Sequence, residues 1–290
     1  MLVSEFSVEL ATLDEIDGVP AYGKGFWYRP GTDWFQGRNG RPAISRKEAA
    51  IQQKLLAKRL KKFIATEPPA DVEKLARAFM EALEDCVPND RCGSLGCPSC
   101  ARAGQRWFAA SVAAKVQASP GKWVATSLIV KNHRFPEGKL DPKTIFEPLR
   151  EYLTPILKEA GMREAFGAFD ISFNEHLEDD FKRHWRPHLY AVGRVKSVDD
   201  FKEALKDSLE ASRTTPRPCY TRSVKDPLKA GAYAMKYPGV RRQTLPATIK
   251  NGETKRRNTH DAPLTWRQSV ELALVLDQLD LADRLFLITR

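Results

Sequence analysis

The chain has no uninterrupted apolar stretch approaching the roughly 18 residues that span a bilayer, so no membrane helix is expected. Its first residues, MLVSEFSVELATLDEIDG, carry acids where a secretory leader carries bases, so export is not expected either. Self-similarity at periods of about 20 to 50 residues is missing, which excludes solenoids and propellers. A disulfide framework is also excluded, because five cysteines in 290 residues are odd in number and too sparse for stapling. A reducing, cytoplasmic setting follows as the expectation, and attention moves from disulfides to metal. Finally, acids are in deficit. Lys and Arg number 47 against 37 Asp and Glu, a net charge of +10 that favours polyanionic partners, meaning nucleic acid or an anionic membrane surface.

What is present is ordinary for a folded globular chain, with 42% apolar and 29% charged residues. Residues 1–44 are irregular, with Phe26, Trp27, Tyr28, Trp34 and Phe35 among them, and no role is assigned to them. Ser45-Arg-Lys-Glu48 reads as a capping box opening a basic amphipathic helix. In it Leu55, Leu56, Leu60 and Phe63 recur at helical spacing. A second helix is predicted from Asp71 to Glu84, after Pro68-Pro69. KWVATSLIVKN (122–132) then reads as a strand, and Asp141-Pro142 opens a helix to about Glu159, stopped by Gly161. AFGAFDISFN (165–174) and RPHLYAVGRV (186–195) read as two strands, followed by helices over Ser197–Ser212 and from Asp226 or Pro227 to Tyr237. After a basic loop, Thr265 to Leu287 is predicted as a last amphipathic helix. Strand–helix–strand–strand–helix is the order of a split βαβ, ferredoxin-like antiparallel sheet. The expected fold is therefore α+β. The expected divisions are a basic helical region (1–85), a cysteine-rich zinc module (86–106), a domain built on the split sheet (107–245) and a C-terminal helical region (246–290).

Cys92, Cys97 and Cys100 have C-x4-C-x2-C spacing, with Cys86 six residues upstream. Two thiolates on one tight turn can face the same tetrahedral ion, and Cys86 is the nearest fourth ligand. An all-thiolate shell leaves no open coordination position, so a bound Zn²⁺ is a structural clip. The bland alternative is four unliganded cysteines in a loop.

His188 and Tyr190 alternate onto one face of their strand, and Asp170 is the single charged residue of AFGAFDISF. An acid inside an apolar strand costs several kcal/mol to bury unless it is paired or binds a cation. Asp170 and His188 can hold a divalent cation, or can form a satisfied core ion pair. His184, about 13 Å along an extended strand from His188, cannot share its ion. Tyr233 and Tyr237 are four apart and Lys236 lies between them, so one helix face can carry both phenols beside a cation. The alternative is an aromatic core face, and Pro238 disfavours helical geometry at Tyr237.

Taken in order, these segments resemble the HUH endonuclease superfamily, specifically the rolling-circle replication initiators of small bacterial plasmids. RCGSLGCPSCARAGQRW is similar to that family's cysteine segment, and VATSLIVKN with the helix ending in KEAG to its first strand and helix. FDISFN is similar to its acidic strand, WRPHLYAV to its histidine strand, and AYAMKYPGV to its lysine–tyrosine helix. The resemblance spans about residues 92 to 240. It implies an HUH nuclease core in which Mg²⁺ or Mn²⁺ polarises the scissile phosphate of single-stranded or origin-hairpin DNA, with host replication proteins as partners. By position, Tyr237 is the first candidate nucleophile, Tyr233 the second tyrosine and Lys236 their companion. His188, Asp170 and Tyr190 stand at the metal, where Tyr190 replaces the family's second histidine and Trp185-Arg186 its usual Trp-His.

Two other readings compete. One is a DNA-binding protein with a zinc-clipped basic module and no strand scission. The other is a primase-polymerase, which needs paired acids where Asp170 stands alone. The charge itself is localised. Arg217 to Arg257 holds 11 Lys or Arg and two acids, so +9 of the +10 lies there. Within or beside the tyrosine segment, Arg222, Lys225, Lys229, Arg241 and Arg242 are the candidate phosphate contacts.

Overall fold

A computed structural model describes residues 46–87, 90–176, 182–212, 215–237, 240–244, 249–250, 253–254 and 259–289. Ser45 of the expected capping box and the aromatic residues 26–35 lie outside these. The first two helices are α1 (Arg46–Ile64) and α2 (Ala70–Asp85). Ala76, Phe79 and Leu83 bury one stripe of α2. A third, α3 (Pro98–Ala118), starts with proline in its first turn, where the missing N–H has no intrahelical partner to lose.

Then come β1 (Lys122–Leu128), β2 (Phe135–Pro136), α4 (Glu147–Glu159), β3 (Met162–His176), β4 (His184–Val195), α5 (Val198–Ser208), β5 (Cys219–Ser223) and α6 (Pro227–Ala234). The C-terminal part holds β6 (Val240–Thr244), β7 (Ile249–Lys250), β8 (Glu253–Thr254), β9 (Thr259–Pro263), α7 (Trp266–Asp277), α8 (Leu281–Arg284) and β10 (Leu285–Ile288). The fold is α+β with a mixed sheet. Six strands lie on one hydrogen-bonded path, β5-β1-β4-β3-β6-β9, while β10 joins β3, β2 joins β4, and β7–β8 form a separate pair. Neighbours from β5 to β3 are antiparallel, and β6 runs parallel to β3.

Alternation puts residues 166, 168, 170 and 172 of β3 on one face with 192, 190, 188 and 186 of β4. The opposite face is apolar. There Phe173 meets Trp185 edge-on with centroids 4.9 Å apart, and Phe146, just before α4, stacks on Phe169 at 5.2 Å. Leu149, Leu153 and Leu157 of α4, with Phe201 and Leu205 of α5, complete that core. A second core joins Leu56 and Leu60 of α1, Phe79 and Leu83 of α2, the cysteines Cys86, Cys97 and Cys100, and Val270, Ala273 and Leu274 of α7. Leu272, Val275 and Leu276 of the same α7 enter the main core, so this helix belongs to both.

Several elements depart from the sequence expectation for local reasons. The helix expected from Asp141 starts at Glu147, because the Asp141 carboxylate accepts from Lys143 N and Thr144 Oγ1 and holds a turn instead. The last helix does not run to Leu287. It ends at Asp277, Asp280 and Asp283 cap a new short turn, and Leu285–Ile288 pairs as a strand with Ala165–Ala168. That edge of β3 carried unpaired backbone groups, and β10 satisfies them. The basic segment expected as a loop contributes β6, which pairs with Ser172–His176 farther along the same edge.

Helix α6 lies across the polar face, against α3. A Cβ placed on Gly231 would sit 2.9 Å from Ala109 Cα and 3.1 Å from Val112 Cβ, and Gln105 Nε2 donates to Ala232 O at 2.6 Å. Gly231→Val should therefore lower unfolding stability by about 1–3 kcal/mol, measured by denaturant titration. A change within about 0.5 kcal/mol would show that the two helices do not touch there.

Candidate active site and metal centre

The cysteine segment folds into a clip. Gly93 takes φ +78°, Ser94 Oγ accepts from Gly96 N at 3.1 Å, and Cys97 N bonds Ser94 O at 3.2 Å. Gly96 is required by close approach, since a Cβ there would lie 2.5 Å from Ala273 O of α7. The four sulfurs converge. Cys86–Cys100 and Cys92–Cys100 are 3.6 Å apart, Cys97–Cys86 is 3.7 Å, and all four atoms lie within 4.8 Å of one another. Thiolates at about 2.3 Å around a tetrahedral ion stand about 3.8 Å apart, so Cys86, Cys92, Cys97 and Cys100 can hold a structural zinc. Hydrogen bonds from Cys100, then from Cys92 and Cys97, favour the thiolate of Cys86 and lower its pKa. The fifth cysteine, Cys219, lies away in β5.

On the polar face of the sheet, Asp170 and His188 are direct cross-strand partners. Asp170 is 2% exposed. Its Oδ1 accepts from Ile171 N at 2.8 Å, and its Oδ2 lies 2.9 Å from Lys236 Nζ and 3.2 Å from His188 Nε2. Burial works against its charge. The Lys236 ammonium, then His188, outweigh burial and hold the carboxyl far below the usual carboxylate range. Lys236 is its counterpart: burial disfavours its charge, yet the Asp170 carboxylate keeps its pKa above the ordinary lysine value.

Around this pair stand the tyrosines. The Tyr233 ring lies 4.7 Å from the Tyr190 ring, and Lys236 Nζ sits 4.9 Å from the Tyr233 centroid. Tyr233 is 36% exposed, so the cluster opens to solvent on its side. Burial raises the pKa of Tyr190, whose hydroxyl accepts from Arg222 Nη2 at 3.4 Å. Arg222 of β5, Lys225 in the link that follows it and Lys229 in the first turn of α6 are exposed. Arg241 and Arg242 face acids instead, 3.5 Å from Glu175 and 3.8 Å from Asp261.

Tyr237 is not brought to this cluster. Helix α6 ends at Ala234, so the helical register that would stack Tyr237 over Tyr233 is lost. Pro238 follows in the sequence and disfavours a helical Tyr237. The Tyr237 hydroxyl donates to Gly96 O of the cysteine clip at 3.1 Å, and burial, then the charge of Cys97, raises its pKa. Sequence reasoning also missed Arg284. It is fully buried, donates through Nε to Phe169 O at 2.9 Å and through Nη2 to Lys236 O, and so straps the residue before Asp170 to the lysine. Its one sequence signal is a lone arginine just ahead of the apolar run LFLI.

The donor set does not fit a catalytic Mg²⁺ or Mn²⁺. Such ions want several oxygen ligands. Here Asp170 already serves Lys236, His188 and a backbone amide, and the third position is a neutral phenol turned to Arg222. Among the described residues, the four cysteines form the one group of three or more His, Cys, Asp or Glu side chains with metal-binding spacing. No described helix is long and apolar enough to cross a membrane. Compared with protein-family models, curated proteins and solved structures, the chain matches none.

Two outcomes follow. Purified protein should carry one zinc per chain by elemental analysis, lost in Cys100→Ser and kept in Cys219→Ser. For Asp170 the depressed pKa sets the sign. Its contribution to stability is present above the unfolded value near 3.9 and is lost as pH falls below it. Asp170→Asn should destabilise the fold by about 3–5 kcal/mol at neutral pH, through the unpaired Lys236. It should also flatten the acid limb of denaturant stability against pH by about 1.4 kcal/mol per unit. An unchanged acid limb would show that Asp170 titrates normally.

Proposed function

We propose that the protein nicks and rejoins single-stranded DNA by tyrosine transesterification, in the manner of an initiator of rolling-circle replication of a plasmid or mobile element. The observation that carries this reading is the convergence of Tyr233, Lys236, Asp170 and His188 on one face of the sheet, reached from solvent at Tyr233. The strand order supports it. Read in chain order, β1, β3, β4 and β5 lie as 4-1-3-2, all neighbours antiparallel, which suits a ferredoxin-like split βαβ core. Exposed Arg222, Lys225 and Lys229 supply positive charge at the open side, where a phosphate backbone can settle.

Of the two tyrosines, Tyr233 is the nucleophile in this reading, because Tyr237 is engaged with Gly96. The Tyr233 oxygen attacks phosphorus and the bond to the 3′ oxygen breaks. That oxygen leaves with a proton equivalent to the one the phenol gives up. The products are a 5′-phosphotyrosine and a free 3′-hydroxyl able to prime synthesis. Rejoining runs the same steps backwards. One observation favours a second reading, DNA binding without scission: the second motif position is a buried phenol bonded to Arg222.

A randomised single-stranded oligonucleotide, labelled at its 3′ end, separates them. Transfer of label to protein that survives SDS is expected in the wild type, is abolished in Tyr233→Phe, and stays within about tenfold in Tyr237→Phe. Adduct persisting in Tyr233→Phe would move the nucleophile elsewhere. Retention on filters with no adduct would favour binding alone.

A further inference from the structure

Resting on the transesterification reading above, we propose that Lys236 stands where a divalent cation would otherwise act, so that strand transfer at this site runs without one. Three features of the site lead there. Both oxygens of Asp170 are committed, Oδ1 to the Ile171 amide and Oδ2 to Lys236 and His188. The second motif position is a phenol that takes its hydrogen bond from a guanidinium. Positive charge is already gathered around the carboxylate, with Lys236 on it and Arg284 strapped to Phe169 O and Lys236 O behind it. A dication placed beside Asp170 would meet these charges and find too few oxygens.

The ammonium suits the vacated role. It offers three N–H donors, and its ion pair to Asp170 at 2.9 Å, the one it makes among the described residues, leaves donors for phosphate oxygens. The Lys236 side chain is 18% exposed, enough to meet a ligand while staying fixed. Its Nζ is 4.9 Å from the centre of the Tyr233 ring, so a phosphate attacked by that tyrosine would develop its charge near a fixed cation. Asp170, His188 and Arg284 then act as positioning residues for Lys236. The step balances as written for the proposed function: one P–O bond forms, one breaks, a proton passes from phenol to the 3′ oxygen, and no redox partner is required.

The test uses the zinc-loaded full chain and the same 3′-labelled randomised oligonucleotide. Buffer is freed of Mg²⁺ and Mn²⁺ on a chelating resin, and the zinc content is checked to be unchanged. The expected result is adduct formation at rates within twofold with and without added Mg²⁺ or Mn²⁺. Lys236→Gln should slow it by about 100-fold in either buffer, with partial recovery in Lys236→Arg. A tenfold or greater stimulation of the wild type by either ion overturns the proposal and leaves the transesterification reading standing. So does rescue of Lys236→Gln by the ion. No adduct in any buffer removes the transesterification reading itself, and the role of Lys236 with it. Should Lys236→Gln fail to melt cooperatively or to hold zinc, the wild-type comparison decides alone.

Discussion

One buried charge organises this molecule. Asp170 sits in the longest strand, out of reach of water, and a carboxylate in that position persists only if cations come to it. His188 comes from the neighbouring strand, Lys236 from the turn after α6, and Arg284 approaches from the end of α8. Three segments distant in sequence are thus drawn to a single oxygen and its surroundings. The direct pairing of Asp170 with His188 also sets the register of the β3–β4 hairpin. A slip of one residue in either strand would turn that strand's member of the pair to the apolar face and away from its partner.

The cysteine clip is the second anchor, and it is tied to the first. Gly96 packs its backbone against Ala273 of α7, and its carbonyl receives the Tyr237 hydroxyl. Tyr237 follows Lys236 directly. The same turn therefore has its lysine drawn to Asp170 on one side and its tyrosine held by the clip on the other. Helix α7 links the two bodies as well, giving Val270, Ala273 and Leu274 to the cysteine core and Leu272, Val275 and Leu276 to the sheet core. A metal held by the four cysteines would in this way bear on how firmly Lys236 is placed.

How much of this was legible in the sequence depended on whether the signal was local. The four cysteines come together as their spacing suggests, and Asp170 pairs with His188 across two strands whose alternation the sequence displays. Strands β3 and β4 were readable because alternation and β-branched or aromatic content agree. Helix α3 was overlooked because its Ala-rich repeat carries little periodic contrast. The tyrosine pair misled because a spacing of four means one face only inside a helix, and α6 stops at Ala234. Arg241 and Arg242 looked like free cations in a basic run, but Glu175 and Asp261 come from other strands. Strand β10 and Arg284 depend on a partner edge more than 100 residues earlier, and no local pattern encodes that.

Arg284 also gives the site an order in time. Asp170, His188 and Lys236 are all synthesised before it, yet the arginine that straps Phe169 to Lys236 follows them, just ahead of the strand that closes the β3 edge. A chain still emerging from the ribosome can form the hairpin and close the clip, but not the strap. The carboxylate and the lysine anchored on it come under full constraint only once synthesis has passed residue 284, so the sequence order of the chain's own parts makes this buried pair one of the last features to be fixed.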